Sequence, residues 1–169
     1  MATTIHRGTT VHTVGDLPSI GDALPAFTLT LNDLTEYSSA ALAGHTVVLN
    51  VFPSIDTTTC ALSVRRFNEL AATLENTTVL CISHDLPYAQ RRFCGAEGID
   101  AVVTASGFRS SFGADYGLTL TDGLMKGLLA RAVVVAGTDG IVRHVELTET
   151  IGQEPNYDAA RAAPSRATE

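Results

Sequence analysis

The strongest pattern in the sequence is an apolar run, rich in β-branched residues, at positions 46–52. Such a continuous run predicts a β-strand that is buried on both faces of a sheet. Pro53 ends this strand, because proline has no N–H group to donate to a neighbouring strand. Beyond it, Cys60, Val64 and Phe67 recur at helical spacing. The pattern therefore predicts a buried strand that leads through a short loop into an amphipathic helix.

A second apolar run at 77–83 predicts another buried strand. Strand, helix and strand then form a βαβ unit with two parallel strands and a right-handed crossover. A further helix is predicted over 87–94, because Asp85 can cap it and a proline opens its first turn. Gly95 and Gly98 are predicted to end that helix.

Alternating polar and apolar residues predict two β-hairpins. The segments 4–7 and 11–14 form the N-terminal one, and 132–136 with 141–147 form a second one around a Gly-Thr-Asp-Gly turn. A last helix is predicted over 156–163. The order of elements favours a mixed central sheet flanked by helices, which is a thioredoxin-like α/β fold with an added N-terminal hairpin. A flavodoxin-like order is the alternative, and the antiparallel second hairpin argues against it.

Composition narrows the class of protein. The chain has 169 residues, of which 45% are hydrophobic and 17% charged, so we predict a single domain over residues 1–169. A formal net charge of −7 argues against nucleic-acid and anionic-membrane partners. No apolar stretch approaches the ~20 residues of a membrane span, and the N-terminus lacks the apolar core of a signal peptide. Since three cysteines are too few for a disulfide-rich secreted scaffold, we expect a cytoplasmic protein.

Cys60 is the first candidate for chemistry. It is predicted to lie in the first turn of a helix that leaves the C-terminal end of a buried strand. Unpaired N–H groups at such a helix start favour a nearby anion, and a cysteine placed there ionises more readily than a free thiol. The alternative is that Cys60 is only a small apolar residue that packs the helix entry.

Three further residues are candidates for a site around Cys60. Arg131 opens an apolar strand, where a cation is costly unless an anion partners it; it either faces the Cys60 sulfur or reaches water or a surface carboxylate. Thr57 stands one helical turn before Cys60, so its hydroxyl either contacts the sulfur or caps the helix. Pro53 either shields the sulfur from water or only ends the strand.

Cys94 supplies a second thiol, near the end of a short helix that we expect to unwind at low cost. A sulfenic acid on Cys60 would condense with such a thiol. A disulfide needs Cα atoms within about 7 Å, which requires that helix to move if the two residues start further apart. The alternative is a helix-end cysteine without a role. Cys81 lies in the middle of a predicted strand and is assigned to the core.

The pattern Pro53-x-x-x-Thr57-x-x-Cys60 resembles the active-site signature of the peroxiredoxins. The segments 85–87, 92–98 and 130–135 resemble, more narrowly, the bacterial thiol peroxidase branch of that family, which is an atypical two-cysteine type. The resemblance covers nearly the whole chain. It implies a thioredoxin-like fold and a homodimer.

The resemblance also implies the chemistry. Cys60 would be the peroxidatic thiolate and Cys94 the resolving thiol, with Thr57, Arg131 and Pro53 completing the pocket. Hydrogen peroxide and, preferentially, alkyl hydroperoxides would be reduced to water or alcohols through an intramolecular Cys60–Cys94 disulfide. Thioredoxin would then reduce that disulfide, and no metal, flavin or haem would be required.

Two positions depart from the family pattern, and two other functions stay open. Leu124-Met125 stands where proline-leucine is expected, and His84 where a small residue is usual; both changes are expected to alter pocket shape or loop mobility.

A cysteine hydrolase would need a histidine, best His84, to activate Cys60. A non-catalytic redox or binding module of the same fold is the other alternative, although the absence of a Cys-x-x-Cys pair argues against a disulfide exchanger. No Cys/His spacing predicts a metal site.

Overall fold

A computed structural model describes residues 1–165. Its helices and strands are, in chain order, β1 (Thr3–His6), β2 (Thr9–His12), β3 (Thr28–Leu31), β4 (Glu36–Ser38), β5 (Thr46–Val51), α1 (Thr58–Ala71), β6 (Thr77–Ser83), α2 (Pro87–Glu97), β7 (Val103–Ser106), α3 (Phe112–Asp115), β8 (Ala132–Ala136), β9 (Val142–Leu147) and α4 (Tyr157–Ala162). Short 3₁₀ helices cover Ser39–Leu42 and Ala163–Ser165. The prediction of a single domain over residues 1–169 stays a prediction, since residues 166–169 lie outside the described part.

The central sheet has seven strands in the order β4-β3-β7-β6-β5-β8-β9. β5 pairs in parallel with β6 and antiparallel with β8, so positions 47–51 of β5 are enclosed between neighbouring strands. The predicted βαβ unit and second hairpin are both confirmed, with β5 and β6 close to their predicted bounds. The antiparallel β8 beside β5 rules out a flavodoxin-like order.

Apolar side chains pack on both faces of this sheet, which explains why β5 reads as a continuous apolar run. Val47, Leu49 and Val51 point to one face, and Val48 contributes to the other. The second face packs against α1, α2 and α4. The cluster of side chains between this face and the helices includes Cys60 of α1. No helix within residues 1–165 is long and apolar enough to cross a lipid bilayer.

The N-terminal hairpin is confirmed, although its turn comes one residue earlier than predicted. β1 and β2 pair antiparallel from Thr3↔His12 to His6↔Thr9, and Arg7 and Gly8 form the turn with φ of 50° and 80°. Glycine adopts this left-handed conformation without a steric penalty. The hairpin forms its own two-stranded sheet beside the central one.

Two details predicted for α2 are wrong. Gly95 does not end the helix but lies within it, and the helix ends at Gly98, which has a left-handed φ of 65° and donates its N–H to the Cys94 carbonyl. Asp85 does not cap the helix, because Leu86 occupies the N-cap position and the Asp85 carboxylate is engaged elsewhere. Both errors arise because composition alone does not tell which glycine adopts φ > 0, nor where a carboxylate finds its donors.

Candidate active site

Cys60 lies near the start of α1, the helix that follows β5. It is the third residue of the helix and is fully buried. Its apolar neighbours in the same cluster include Phe52 and Ile55 from the connecting loop and Phe93 from α2. The predicted position in the first helical turn is therefore confirmed, and the buried thiol lies among apolar side chains near the N–H groups of a helix start.

The Arg131 guanidinium contacts this thiol directly. Arg131 Nη2 donates to Cys60 Sγ at 3.1 Å, and only 2% of the Arg131 surface is exposed. The antiparallel pairing of β5 with β8 explains the approach, since Val51 at the end of β5 faces Ala132 at the start of β8. The alternative that Arg131 reaches water or a surface carboxylate is wrong. The fold therefore brings a buried N–H donor with a positive charge into direct contact with the Cys60 sulfur.

The remaining nitrogens of Arg131 define how the guanidinium is held. Nε donates to the main-chain carbonyl of Ile151 at 2.7 Å. Nη1 is buried and has no hydrogen-bond partner within residues 1–165. A buried donor without an acceptor is uncommon in native proteins. The guanidinium therefore offers one fixed contact to the sulfur and one N–H-bearing nitrogen that is free to bind an oxygen atom.

Thr57 is positioned differently from the expectation. It is the exposed N-cap residue of α1, but its hydroxyl neither contacts the Cys60 sulfur nor caps the helix; it donates to the Ser54 carbonyl at 3.1 Å. The extended backbone of the N-cap turns its side chain back over the preceding turn. The hydroxyl oxygen can still accept a hydrogen bond.

Pro53 is buried directly after β5. Phe52 still donates its N–H to the Ile82 carbonyl at 3.1 Å, and the ladder of hydrogen bonds stops at the proline. The strand-ending effect of Pro53 is confirmed. Its role in shielding the sulfur stays a prediction.

Asp85 holds the loop between β5 and α1, a role that the sequence analysis missed. Its carboxylate accepts hydrogen bonds from Ser54 Oγ at 2.9 Å, from Ile55 N at 2.7 Å and from Ser83 Oγ at 2.5 Å. Parallel strands end at the same edge of a sheet, so an aspartate just after β6 lies beside the loop that follows β5. That placement was the available signal for a loop-holding carboxylate.

Cys94 lies on α2 and is not bonded to Cys60. All three cysteines are free, and Cys94 Sγ lies 3.3 Å from Thr104 Oγ1 on β7. A cleft of about 270 Å³ separates α1 from α2. Two exposed ion pairs cross between the α1 region and α2, Arg65–Glu97 at 2.9 Å and Arg92–Asp56 at 3.1 Å. Such exposed pairs contribute only about 0.2–1 kcal/mol each.

Cys81 lies in the middle of β6 and is fully buried, which agrees with its assignment to the core. Its sulfur accepts a weak hydrogen bond from Asn50 Nδ2 at 3.6 Å. Burial raises the pKa of the Cys81 thiol to about 12. The thiol therefore stays protonated at neutral pH, in contrast to what a nucleophile requires.

The structure does not support the hydrolase alternative. His84 Nδ1 lies 3.0 Å from the Gly127 carbonyl, and its ring packs against Gly107. No histidine within residues 1–165 forms a hydrogen bond with Cys60, so that thiol has no base of the kind a cysteine hydrolase needs. The same residues contain no group of three His, Cys, Asp or Glu side chains that could hold a metal ion.

Known proteins are similar to this chain in both sequence and fold. A model of the Redoxin family matches residues 19–160. The thiol peroxidase of Mycobacterium tuberculosis is 58% identical over 163 residues, which cover 96% of this chain and 98% of that protein. The thiol peroxidase of Corynebacterium glutamicum is 53% identical over 163 residues, covering 96% of this chain and 99% of that protein.

Two solved structures confirm the predicted thioredoxin-like class of fold. The peroxiredoxin-like protein from Aquifex aeolicus superposes with a TM-score of 0.90 at 36% identity, covering 94% of this chain and 93% of that one. The thiol peroxidase from Chromobacterium violaceum has a TM-score of 0.86, covers 93% and 91% of the two chains and, at 19% identity, bears on the fold alone. With a family model over most of its length and relatives more than half identical to it, the chain belongs to the redoxin family and, within it, to the thiol peroxidases.

Proposed function

We propose that the chain reduces hydrogen peroxide and alkyl hydroperoxides at Cys60. The observation that carries the proposal is the 3.1 Å contact between Arg131 Nη2 and Cys60 Sγ, two side chains that are both buried. The positive charge favours the thiolate, which is the nucleophilic form. Phe52, Ile55 and Phe93 give the surroundings of the sulfur an apolar character that suits an alkyl group.

In the first step, the Cys60 thiolate attacks one oxygen of the peroxide and the O–O bond breaks. The attacked oxygen keeps its hydrogen and becomes the sulfenic acid group of Cys60, while the departing oxygen takes up a proton from solvent and leaves as water or an alcohol. Arg131 Nη1, which has no protein partner within residues 1–165, donates to the peroxide and stabilises the charge that develops on the leaving oxygen. The Thr57 hydroxyl oxygen accepts a hydrogen bond from the O–H of the bound hydroperoxide, and Pro53 keeps water from the sulfur.

In the second step, Cys94 attacks the sulfenic acid. The new S–S bond forms as the sulfenic oxygen leaves as water. Cys94 must move for this, because it contacts Thr104 on β7 instead of Cys60. Gly95 lies inside α2 next to Cys94, and a glycine in a helix interior costs roughly 0.8–1 kcal/mol relative to alanine. The few contacts between α2 and α1 make local unwinding of α2 the accessible route.

An external dithiol then reduces the Cys60–Cys94 disulfide by thiol–disulfide exchange. Thioredoxin is the proposed reductant, and a cytoplasmic location goes with it because the cycle consumes reducing equivalents. Unwinding of α2 also supports this step, since it exposes Cys94 to an attacking thiolate.

A homodimer is the proposed assembly. Leu86, Phe108 and Leu124 are exposed apolar residues on three loops, and 86% of the Leu124 surface is accessible. The His84 ring joins these loops, because it contacts Gly107 and hydrogen-bonds the Gly127 carbonyl. Exposed apolar side chains on these loops suit contact with a second copy of the chain.

Replacing Cys94 by serine tests the resolution step. We expect the variant to consume one equivalent of peroxide per chain at nearly the normal rate and then to stop, because Cys60 is oxidised but no disulfide forms. Peroxide consumption is measured first with pre-reduced protein alone, and then with thioredoxin, its reductase and NADPH.

The matched control is Cys81→Ser, which removes the buried third thiol and is expected to keep full turnover. Sustained thioredoxin-dependent turnover by Cys94→Ser would contradict the role of Cys94. Loss of even the first equivalent would contradict the order of steps, because Cys94 would then be needed before Cys60 is oxidised.

Replacing Leu124 by glutamate tests the proposed dimer surface. A charge buried in an apolar interface costs several kcal/mol, so we expect the variant to be monomeric at micromolar concentrations at which the unmodified chain is dimeric. Sedimentation velocity gives the measurement, with Ile20→Glu, at an exposed apolar residue on another loop, as the control. Equal sedimentation of both variants and the unmodified chain would contradict the assignment of the surface.

A further inference from the structure

The N-terminal hairpin binds the segment that follows β9. Ile5 donates its N–H to the Glu149 carbonyl at 2.9 Å and accepts from Ile151 N at 2.9 Å. Ile5 also forms a parallel bridge with Thr150. β1 is therefore tied to residues 149–151 by one parallel bridge with two main-chain hydrogen bonds.

Thr4 adds a side-chain contact to this pairing. Although threonine is polar, only 2% of its surface is exposed here. Its hydroxyl lies 2.8 Å from the Thr148 carbonyl and 3.1 Å from the Glu149 carbonyl, so its proton is shared between two main-chain acceptors. A buried hydroxyl is costly without such partners. Thr4 is thus committed to residues 148–149.

The same segment holds Arg131 at both its main chain and its side chain. The Arg131 carbonyl accepts from Thr148 N at 3.2 Å and from Thr148 Oγ1 at 3.3 Å. Three residues later, the Ile151 carbonyl accepts from Arg131 Nε at 2.7 Å. Thr59, next to Cys60, donates its hydroxyl to the Gly152 carbonyl at 3.2 Å.

The bond to Ile151 decides where the guanidinium points. The group is planar, so fixing Nε on one side fixes the directions of Nη1 and Nη2. Nη2 then reaches the Cys60 sulfur, and Nη1 stays without a protein partner within residues 1–165. A displacement of the Ile151 carbonyl would rotate both nitrogens away from the reacting atoms, and misplacement by about 1 Å can cost on the order of 10²-fold in rate.

We propose that the β1–β2 hairpin is a brace for Arg131, and that Thr4 is a positioning residue for the peroxidase reaction. The connection runs from the Thr4 hydroxyl to residues 148–151, from the Ile151 carbonyl to the guanidinium, and from there to Cys60 Sγ. This inference rests on the proposed function of Cys60. Thr4 touches no reacting atom, so its effect must pass through Arg131.

The test replaces Thr4 by valine, which has nearly the same shape but no hydroxyl. We expect the second-order rate constant for oxidation of Cys60 by peroxide to fall roughly three- to ten-fold, the equivalent of one hydrogen bond. We also expect the pH midpoint for alkylation of Cys60 to rise, because the guanidinium is held less firmly beside the sulfur. Thr4→Ser keeps the hydroxyl and should restore both values.

The matched control is Thr10→Val on β2, where the hydroxyl is exposed and the same change should leave both values unaltered. A double-mutant cycle with Arg131→Lys adds a stricter measurement. If Thr4 acts through the guanidinium, then Thr4→Val causes little further loss in the Arg131→Lys protein. If Thr4→Val fails to fold, Thr148→Val removes the other hydroxyl in the same connection and takes its place.

A merely structural role gives a different result. If Thr4→Val lowers the melting temperature but leaves the oxidation rate and the alkylation midpoint unchanged, the proposal is overturned. Fully additive losses in the cycle would overturn it as well. Failure of the proposed function is distinguishable, because it would appear as absence of peroxide-dependent Cys60 oxidation in the unmodified chain. The alkylation midpoint needs no peroxide and still tests the brace in that case.

Discussion

Replacing Cys60 by serine should reduce peroxide consumption to the uncatalysed rate, a loss on the order of 10³-fold or more. A serine hydroxyl is not ionised near neutral pH, even beside a guanidinium, so the attacking anion is missing. The change in volume is small, and the fully buried site should remain packed. Peroxide loss should be followed with pre-reduced protein, so that the result does not depend on the choice of reductant.

Cys81→Ser is again the matched control, because Cys81 is equally buried but faces no guanidinium. Thiol counting after one equivalent of peroxide should give no loss of thiols in Cys60→Ser. Cys81→Ser should still lose its two remaining thiols together. Peroxide turnover by Cys60→Ser at the unmodified rate would remove the basis of the proposed function.

The elements next to this site could be predicted because their signals are local. A strand enclosed on both sides gives a continuous apolar run, Pro53 marks its end, and the helical spacing from Cys60 onwards marks the helix after it. The position of Arg131 at the start of an apolar strand also carried information, since a buried cation requires a partner. The sequence indicated that Arg131 needs a partner. It could not show that Cys60 lies within reach, because that depends on the pairing of β5 with β8.

The missed features depend on contacts between distant parts of the chain. The Asp85 carboxylate could cap its own helix or serve the loop after β5, and only the order of strands decides between these uses. The bond from Thr4 to Thr148 joins residues 144 positions apart, and nothing in the alternation of a β-hairpin indicates which segment it will meet. The direction of the Thr57 hydroxyl likewise depends on one rotamer at the N-cap.

Replacing Arg131 by methionine should lower the rate of Cys60 oxidation roughly 10²–10³-fold, as expected for loss of a donor that stabilises developing charge. Methionine fills much of the same space, and replacing a buried charge by an apolar side chain is often neutral or stabilising for the fold. The thiolate, in contrast, would be left in an apolar pocket without its counter-charge. The pH midpoint for alkylation of Cys60 should therefore rise along with the loss of rate.

Arg131→Lys separates charge from geometry. An ammonium group is a point charge, and it does not reproduce the planar arrangement that bonds the Ile151 carbonyl and the Cys60 sulfur together. We expect the lysine variant to recover part of the shift in alkylation midpoint but little of the rate, since it lacks a second directed N–H donor for the peroxide. Equal rates for the methionine variant and the unmodified chain, with both proteins folded, would exclude Arg131 from the reaction. Equal rates for the lysine variant and the unmodified chain would limit its role to charge.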